Sequence, residues 1–299
     1  MTTERNTRTV LIAGATGTVG RELAQQLHTR GDRVLALSRR PAAARRLAGI
    51  ADRIVTADAT DPAALHGLLD GIDAVVSCLG APMALRRGDR RSFHAIDTTA
   101  NRHLVRAAAR AKVDRFVYVS VFLGPGWQDT AYVRAHEQVV DELRAAGLSH
   151  AVVRATGMFP IFDPFLAMAR RGMAWIPGDG RARTNPVHPI EVAEVCVDAL
   201  DRIDDVSVPV GGPEVLTREQ IVRLAFAAVG RPARVLRLPR RAMEAVATAV
   251  HPVHPHLGEV LEFGTAAFTH DFVAPLRGRR RLAEHFARVA GTDRTAAPV

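Results

Sequence analysis

Short apolar runs alternate with amphipathic stretches through the first half of the chain. Val10 to Ala13 is uninterruptedly apolar, and Thr18 to Arg30 then places its apolar positions at helical spacing. Arg33 to Ser38, Ile54-Val55, Ala74 to Ser77, Phe116 to Ser120 and Ala151 to Arg154 read as further strands. Helical patterns fall between them at Ala42 to Ala48, Pro62 to Leu69, Phe93 to Ala111 and Ala131 to Ala146. Apolar strands separated by amphipathic helices require a parallel sheet covered on both faces. With right-handed crossovers, this predicts an α/β fold built on a Rossmann-type, doubly wound parallel sheet.

Beyond Arg154 the rhythm breaks. Helices are predicted at Phe162 to Arg170, Ile190 to Asp201, Arg218 to Val229, Arg240 to Val250 and Arg279 to Val289, with a capping box at Thr217 to Gln220. Short strands and the turns Pro177 to Gly180 and Gly211 to Pro213 separate them. The expected division is 1–158 for the Rossmann domain and 159–299 for a smaller α/β carboxyl-terminal part, interleaved with the first. That second part is expected to pack over the carboxyl edge of the sheet and shape a substrate cleft.

The 299 residues are 47% hydrophobic and 24% charged, ordinary values for a globular protein. No apolar run approaches the twenty or so residues of a membrane helix, and Met1 to Arg8 lacks the apolar core of a signal peptide. With only Cys78 and Cys196, the expectation is a reduced, cytoplasmic protein without a disulfide framework, monomeric or homodimeric. The formal charge of +9 suggests nucleic acid at first sight. However, the basic residues are arginines apart from Lys112, and the pairs Arg45-Arg46, Arg86-Arg87, Arg90-Arg91 and Arg240-Arg241 are scattered. A solvated surface is expected, with no nucleic-acid partner; the positive field would favour an anionic or phenolic small molecule.

Candidate chemistry begins at Gly14-Ala15-Thr16-Gly17-Thr18-Val19-Gly20, directly after the first strand and opening the first helix. Gly14 permits a tight turn, Gly17 close approach to a pyrophosphate, and Gly20 close packing of helix on strand. The helix N-terminus offers free N–H groups and the positive end of its dipole to a diphosphate. Gly14, Thr16, Gly17, Thr18, Val19 and Gly20 are therefore assigned to a dinucleotide. The second strand ends in Ser38-Arg39-Arg40, where an NAD-preferring protein places an acid for the ribose 2′-hydroxyl. A hydroxyl and two guanidinium groups suit a 2′-phosphate instead, so the expected cofactor is NADPH. Asp58 and Ala59 follow the third strand toward the adenine, and Leu79 and Gly80 follow Cys78 at the end of the fourth.

These residues resemble the short-chain dehydrogenase/reductase superfamily, in its atypical NmrA-like, NAD(P)H-binding branch. The G-x-x-G-x-x-G spacing at 14–20, Asp58 within Thr56 to Asp61, the run Lys112 to Ser120, the stretch Gly147 to Arg154 and the turn Gly211 to Thr217 carry the resemblance, which extends to about Pro239. In reductases of this kind a Ser, a Tyr and a Lys four residues after the Tyr do the chemistry. Ser120 and Tyr132 match the first two, and His136 stands where the lysine is expected. A histidine of ordinary pKa near 6.5 is mostly neutral at pH 7 and does not lower a neighbouring phenol as a lysine does. Three readings follow: His136 does the lysine's work in weakened form, the substrate supplies its own proton, or the machinery is vestigial. By analogy, the backbone of Thr156 would meet the nicotinamide carboxamide. Arg154-Ala155 stands where the family commonly has Arg-Pro.

The implied activity is hydride transfer from NADPH to a carbonyl or quinone of a small aromatic or polyketide-like molecule. The pocket set read from the sequence is Met158, Phe159, Phe162, Phe165, Met168 and Trp175. Alternatives are a non-catalytic NADP(H)-sensing regulator and an NAD(P)-dependent epimerase. His251, His254 and His256, interleaved with prolines, read as a helix-stopping loop and not as a metal site.

Overall fold

The computed structural model describes residues 7–80 and 92–295. Its first elements are β1 (Thr9–Ala13), α1 (Thr18–Arg30), β2 (Arg33–Ser38), α2 (Pro41–Ala44), β3 (Arg53–Thr56) and β4 (Ala74–Ser77). Then come α3 (Thr99–Ala111), β5 (Arg115–Val121), α4 (Ala131–Ala145), β6 (His150–Ala155), α5 (Pro164–Arg171) and β7 (Ala174–Pro177). After β8 (Arg183–Thr184), α6 (Pro189–Leu200), β9 (Val206–Val210), β10 (Leu216–Thr217) and α7 (Arg218–Ala228) follow β11 (Val235–Leu238), α8 (Arg240–Val250), α9 (Pro255–Thr269) and α10 (Leu282–Thr295).

Seven strands form one parallel sheet in the order β3-β2-β1-β4-β5-β6-β9, the doubly wound α/β arrangement. Alternate strand residues feed two cores. Val10, Ile12, Val76 and Val153 face α1 and α6, meeting Leu23, Leu27, Val192 and Cys196. Leu11, Val75, Phe116 and Tyr118 face α3 and α4, meeting Leu104, Val139 and Leu143. Each large side chain buried this way contributes about 1.5–3 kcal/mol, which is why the central strands carry no polar face.

Segments from beyond residue 158 join the sheet layer. β9 supplies the seventh strand, and α6 covers one face of the sheet. As an edge strand, β9 is only partly buried up to Val210 and tolerates Pro209, which lacks the N–H a central strand would use. The remaining elements build a third core from Phe159, Phe162, Phe165, Ile176, Phe226 and Phe286. The capping box at the head of α7 is formed, with Gln220 N donating to Thr217 Oγ1 at 3.1 Å and Thr217 N to Gln220 Oε1 at 2.7 Å.

Several local expectations are corrected. Pro62 to Leu69 forms a single 3-10 turn at Ala63–Leu65, because Gly67 turns left-handed at φ +66°. The helix expected from Phe93 begins as a π turn, His94–Thr98, before α3. The segment after His254 is the fifteen-residue helix α9, not a loop. His254 caps it, its Nδ1 accepting from Leu257 N at 3.2 Å, and Pro255 occupies the first turn where no N–H is needed. The pairs Arg86-Arg87 and Arg90-Arg91 lie outside the described residues.

Candidate active site

Strand order reverses between β1 and β4, opening a crevice at their carboxyl ends. The glycine turn lies in it. Gly14 has φ +79°, and a Cβ there would sit 2.7 Å from the Cys78 carbonyl oxygen, so the β1 and β4 loops touch at this point. A Cβ on Gly20 would come 2.3 Å from the Gly14 carbonyl oxygen. Gly17 caps α1 without a side chain, and no acidic residue lies in the first turn. Thr16, Gly17 and Thr18 are exposed while Val19 and Gly20 are buried beneath them. The result is a bare, positively polarised helix end, a cradle that fits a diphosphate.

At the end of β2, Arg39 and Arg40 are exposed and Ser38 is buried. The Ser38 hydroxyl accepts from Arg40 N at 3.2 Å, so it shapes the turn that presents both guanidinium groups. Arg39 lies 3.9 Å from Asp58, which also accepts from Thr60 N at 3.0 Å and Thr60 Oγ1 at 2.8 Å. The residues assigned to the adenosine half therefore gather across β2 and β3. Ala59 is buried beside them, and its carbonyl lies 3.2 Å from His103 Nδ1. Leu79 and Gly80 line the β4 side, where Cys78 N donates to the Ala13 carbonyl at 2.8 Å. Burial pushes the Cys78 thiol up to about 12, so it is inert. Thr156 is buried, its hydroxyl donating to the Asn185 carbonyl at 2.6 Å and its N–H to Val210.

At the other end of the crevice, Tyr118 and Ser120 share one face of β5, the face that α4 covers. α4 presents Tyr132 and His136 one turn apart, ring centroids 4.6 Å apart. His136 Nδ1 lies 2.5 Å from the hydroxyl of Tyr118. Ser120 Oγ and His136 Nε2 are buried with no protein partner among the described residues. Burial, and secondarily the Arg154 guanidinium, pulls His136 from 6.5 down to about 3, leaving it neutral. Burial and then Asp97 raise the Tyr132 phenol above its ordinary 10, and Tyr118 is raised well above it too, with burial the main cause. Arg154 stands beside Ser120 in register and is held by Glu137 through two bonds of 2.6 and 3.1 Å.

The aromatic residues read as pocket lining do not gather at this corner. Phe159, Phe162 and Phe165 pack in the third core, and Trp175 is exposed on β7 opposite Leu236. Around Tyr132 stand Phe93 and Phe263, at 4.9 and 4.4 Å between centroids, with Trp127 stacked on Phe263 at 5.4 Å and against Phe272 at 3.8 Å. Phe263 comes from α9, so this buried aromatic cluster was not legible without that helix.

Residues 14–202 match the family model described as NAD(P)H-binding, and the chain belongs to that family. The chloroplastic divinyl chlorophyllide a 8-vinyl-reductase of Zea mays is 28% identical over 283 residues, 86% of this chain and 69% of that protein. The photosystem II assembly factor Ycf39 of Synechocystis sp. is 24% identical over 234 residues, 77% of this chain and 70% of that one. Among solved structures, the NADPH-dependent quinone oxidoreductase QOR2 of Escherichia coli, complexed with NADPH, aligns at a TM-score of 0.70 and 17% identity, covering 94% of this chain and 99% of that one. MoeE5 in complex with UDP-glucose and NAD aligns at 0.72 and 18%, covering 97% and 100%. These structural likenesses establish the fold. The chain is thus an NAD(P)H-binding, oxidoreductase-like protein with a reductase among its relatives. No helix among the described residues is long and apolar enough to cross a membrane.

Proposed function

We propose that this protein is an NADPH-dependent reductase of a carbonyl or quinone on a small aromatic molecule. The observation that carries the reading is the pairing of a diphosphate cradle at Gly14–Gly20 with two buried, unpartnered polar atoms, Ser120 Oγ and His136 Nε2, where β5 meets α4. When bound, the dinucleotide supplies a hydride. Arg39 and Arg40 would grip a 2′-phosphate, in competition with the weak Arg39–Asp58 contact. Asp58 and Ala59 would border the adenine, Leu79 and Gly80 the β4 side, and the Thr156 backbone the far end of the nicotinamide.

The Ser120 hydroxyl would hold the substrate oxygen, and Tyr132 would give it a proton. Burial and then Asp97 keep Tyr132 protonated at neutral pH, so it holds the proton that a reduction consumes and offers no phenolate base for oxidation; the raised pKa also makes it a weaker acid, so proton transfer is slower than at a lysine-assisted tyrosine. His136, neutral and bound to Tyr118, cannot act as the lysine's permanent cation. Phe93 and Phe263, themselves buried, pack against the Tyr132 ring, and Trp127 backs Phe263, so they hold the phenol in place. The same neutral histidine favours a second reading, a regulator that binds NADP(H) without turnover. Mixing the protein with NADPH and a panel of quinones and aromatic ketones, followed at the NADPH absorbance, separates the two. Steady oxidation with any member supports the reductase; tight binding without oxidation across the panel supports the regulator.

A further inference from the structure

We infer that Tyr118 is a positioning residue that fixes His136 as the Nε2–H tautomer, so that the lysine position of this site presents a neutral hydrogen-bond donor to the nicotinamide end of the dinucleotide. The inference rests on the reading of the β5–α4 corner given above. Tyr118 is fully buried in the middle of β5, and its hydroxyl reaches out of the sheet to His136 Nδ1 at 2.5 Å. Both groups are neutral in this surrounding, where the charges facing them are Arg154 from β6, Asp97 from the π turn and Glu137 from α4.

Two neutral groups share one hydrogen bond in one of two ways. Either way one donor and one acceptor stay unused: the Tyr118 O–H and the Nε2 lone pair in the first case, where His136 Nδ1–H donates to the phenol, and the phenol oxygen's lone pair and the Nε2–H in the second, where Tyr118 O–H donates to Nδ1. Bond strength decides between them. A phenol O–H is a better donor than a neutral imidazole N–H, and an imidazole nitrogen is a better acceptor than a phenol oxygen conjugated with its ring, so the second arrangement prevails. It leaves a single donor, fixed in direction by a ring clamped between Tyr118 and Tyr132. Such a donor is matched by a ribose hydroxyl oxygen or a carbonyl oxygen. Ser120, two residues along the same strand face, adds a second buried hydroxyl with no protein partner.

The test uses protein labelled with 15N-histidine, with and without NADP+. Long-range proton–nitrogen correlation at pH 7 shows which ring nitrogen carries the proton, and the signal missing from His136→Gln identifies His136 among the 12 histidines. The expected result is Nε2–H in the wild type, with Nδ1–H appearing in Tyr118→Phe. NADPH affinity should fall about tenfold in Tyr118→Phe, yet less than twofold when the same change is made in the His136→Gln background. Nδ1–H in the wild type overturns the inference. So does an equal loss of affinity in both backgrounds, the mark of a merely structural tyrosine. Should Tyr118→Phe fail to fold, the wild-type tautomer still decides. A wild type that takes up no NADPH overturns the underlying functional reading instead, since the tautomer is read without nucleotide as well.

Discussion

Replacing His136 by glutamine should flatten the acid sensitivity of folding. The imidazole titrates near 6.5 in the unfolded chain and near 3 in the folded one, with burial as the main cause. Between those values the unfolded chain binds a proton that the native protein refuses. Stability present above pH 6.5 is therefore lost as pH falls. At pH 5, 1.5 units below the ordinary 6.5, the loss is about 2 kcal/mol at about 1.36 kcal/mol per unit. Urea denaturation at pH 7, 6 and 5 measures it. The wild type should lose about 2 kcal/mol more than His136→Gln between pH 7 and 5. Carboxylates and His188, which burial and then Arg280 lower to about 4, act in both proteins and cancel in the difference. Parallel pH slopes in the two proteins would refute the reasoning, because a histidine that protonates freely in the native state has no such linkage.

Further outcomes follow from the same geometry. Gly20→Ala places a methyl group 2.3 Å from the Gly14 carbonyl oxygen, so the turn must move; NADPH affinity by fluorescence titration should drop at least tenfold while circular dichroism stays native. The double change Arg39→Ala with Arg40→Ala should weaken NADPH at least tenfold and NADH less than twofold, since only the former carries the 2′-phosphate. Arg154→Met leaves the one-third exposed Glu137 without the guanidinium that binds it at 2.6 Å and should cost about 1–2 kcal/mol in denaturant melts; adding Glu137→Gln should recover part of that loss.

The parts of the fold that were legible in the chain are those where local pattern and tertiary role coincide. Val10 to Ala13 is apolar throughout because β1 is central and covered on both faces, and the glycine spacing after it follows from backbone contacts one loop away. β9 was hidden because an edge strand need not be apolar: Ser207 and Pro209 interrupt it without cost. α9 was hidden by Pro255, Gly258 and Gly264. Pro255 suits a first turn, and Gly258 is small because a Cβ would meet His251 Cα at 2.7 Å, a packing reason that no helical propensity reveals. Trp175 read as a pocket residue from its neighbours in sequence, but strand alternation turns it outward. Tyr118 sits in an apolar strand, a pattern that gives its hydroxyl no partner. Its hydroxyl finds His136 only through the packing of α4 on β5, a contact eighteen residues apart in the chain.

The central claim, a dinucleotide held at the Gly14 turn with its 2′-phosphate on Arg39 and Arg40, is tested most directly by calorimetric titration of the wild-type protein with NADPH and, separately, with NADH. Saturable uptake of NADPH at least tenfold tighter than NADH is the predicted result. Equal affinities would contradict the role of the two arginines, and no heat with either nucleotide would contradict the cradle itself.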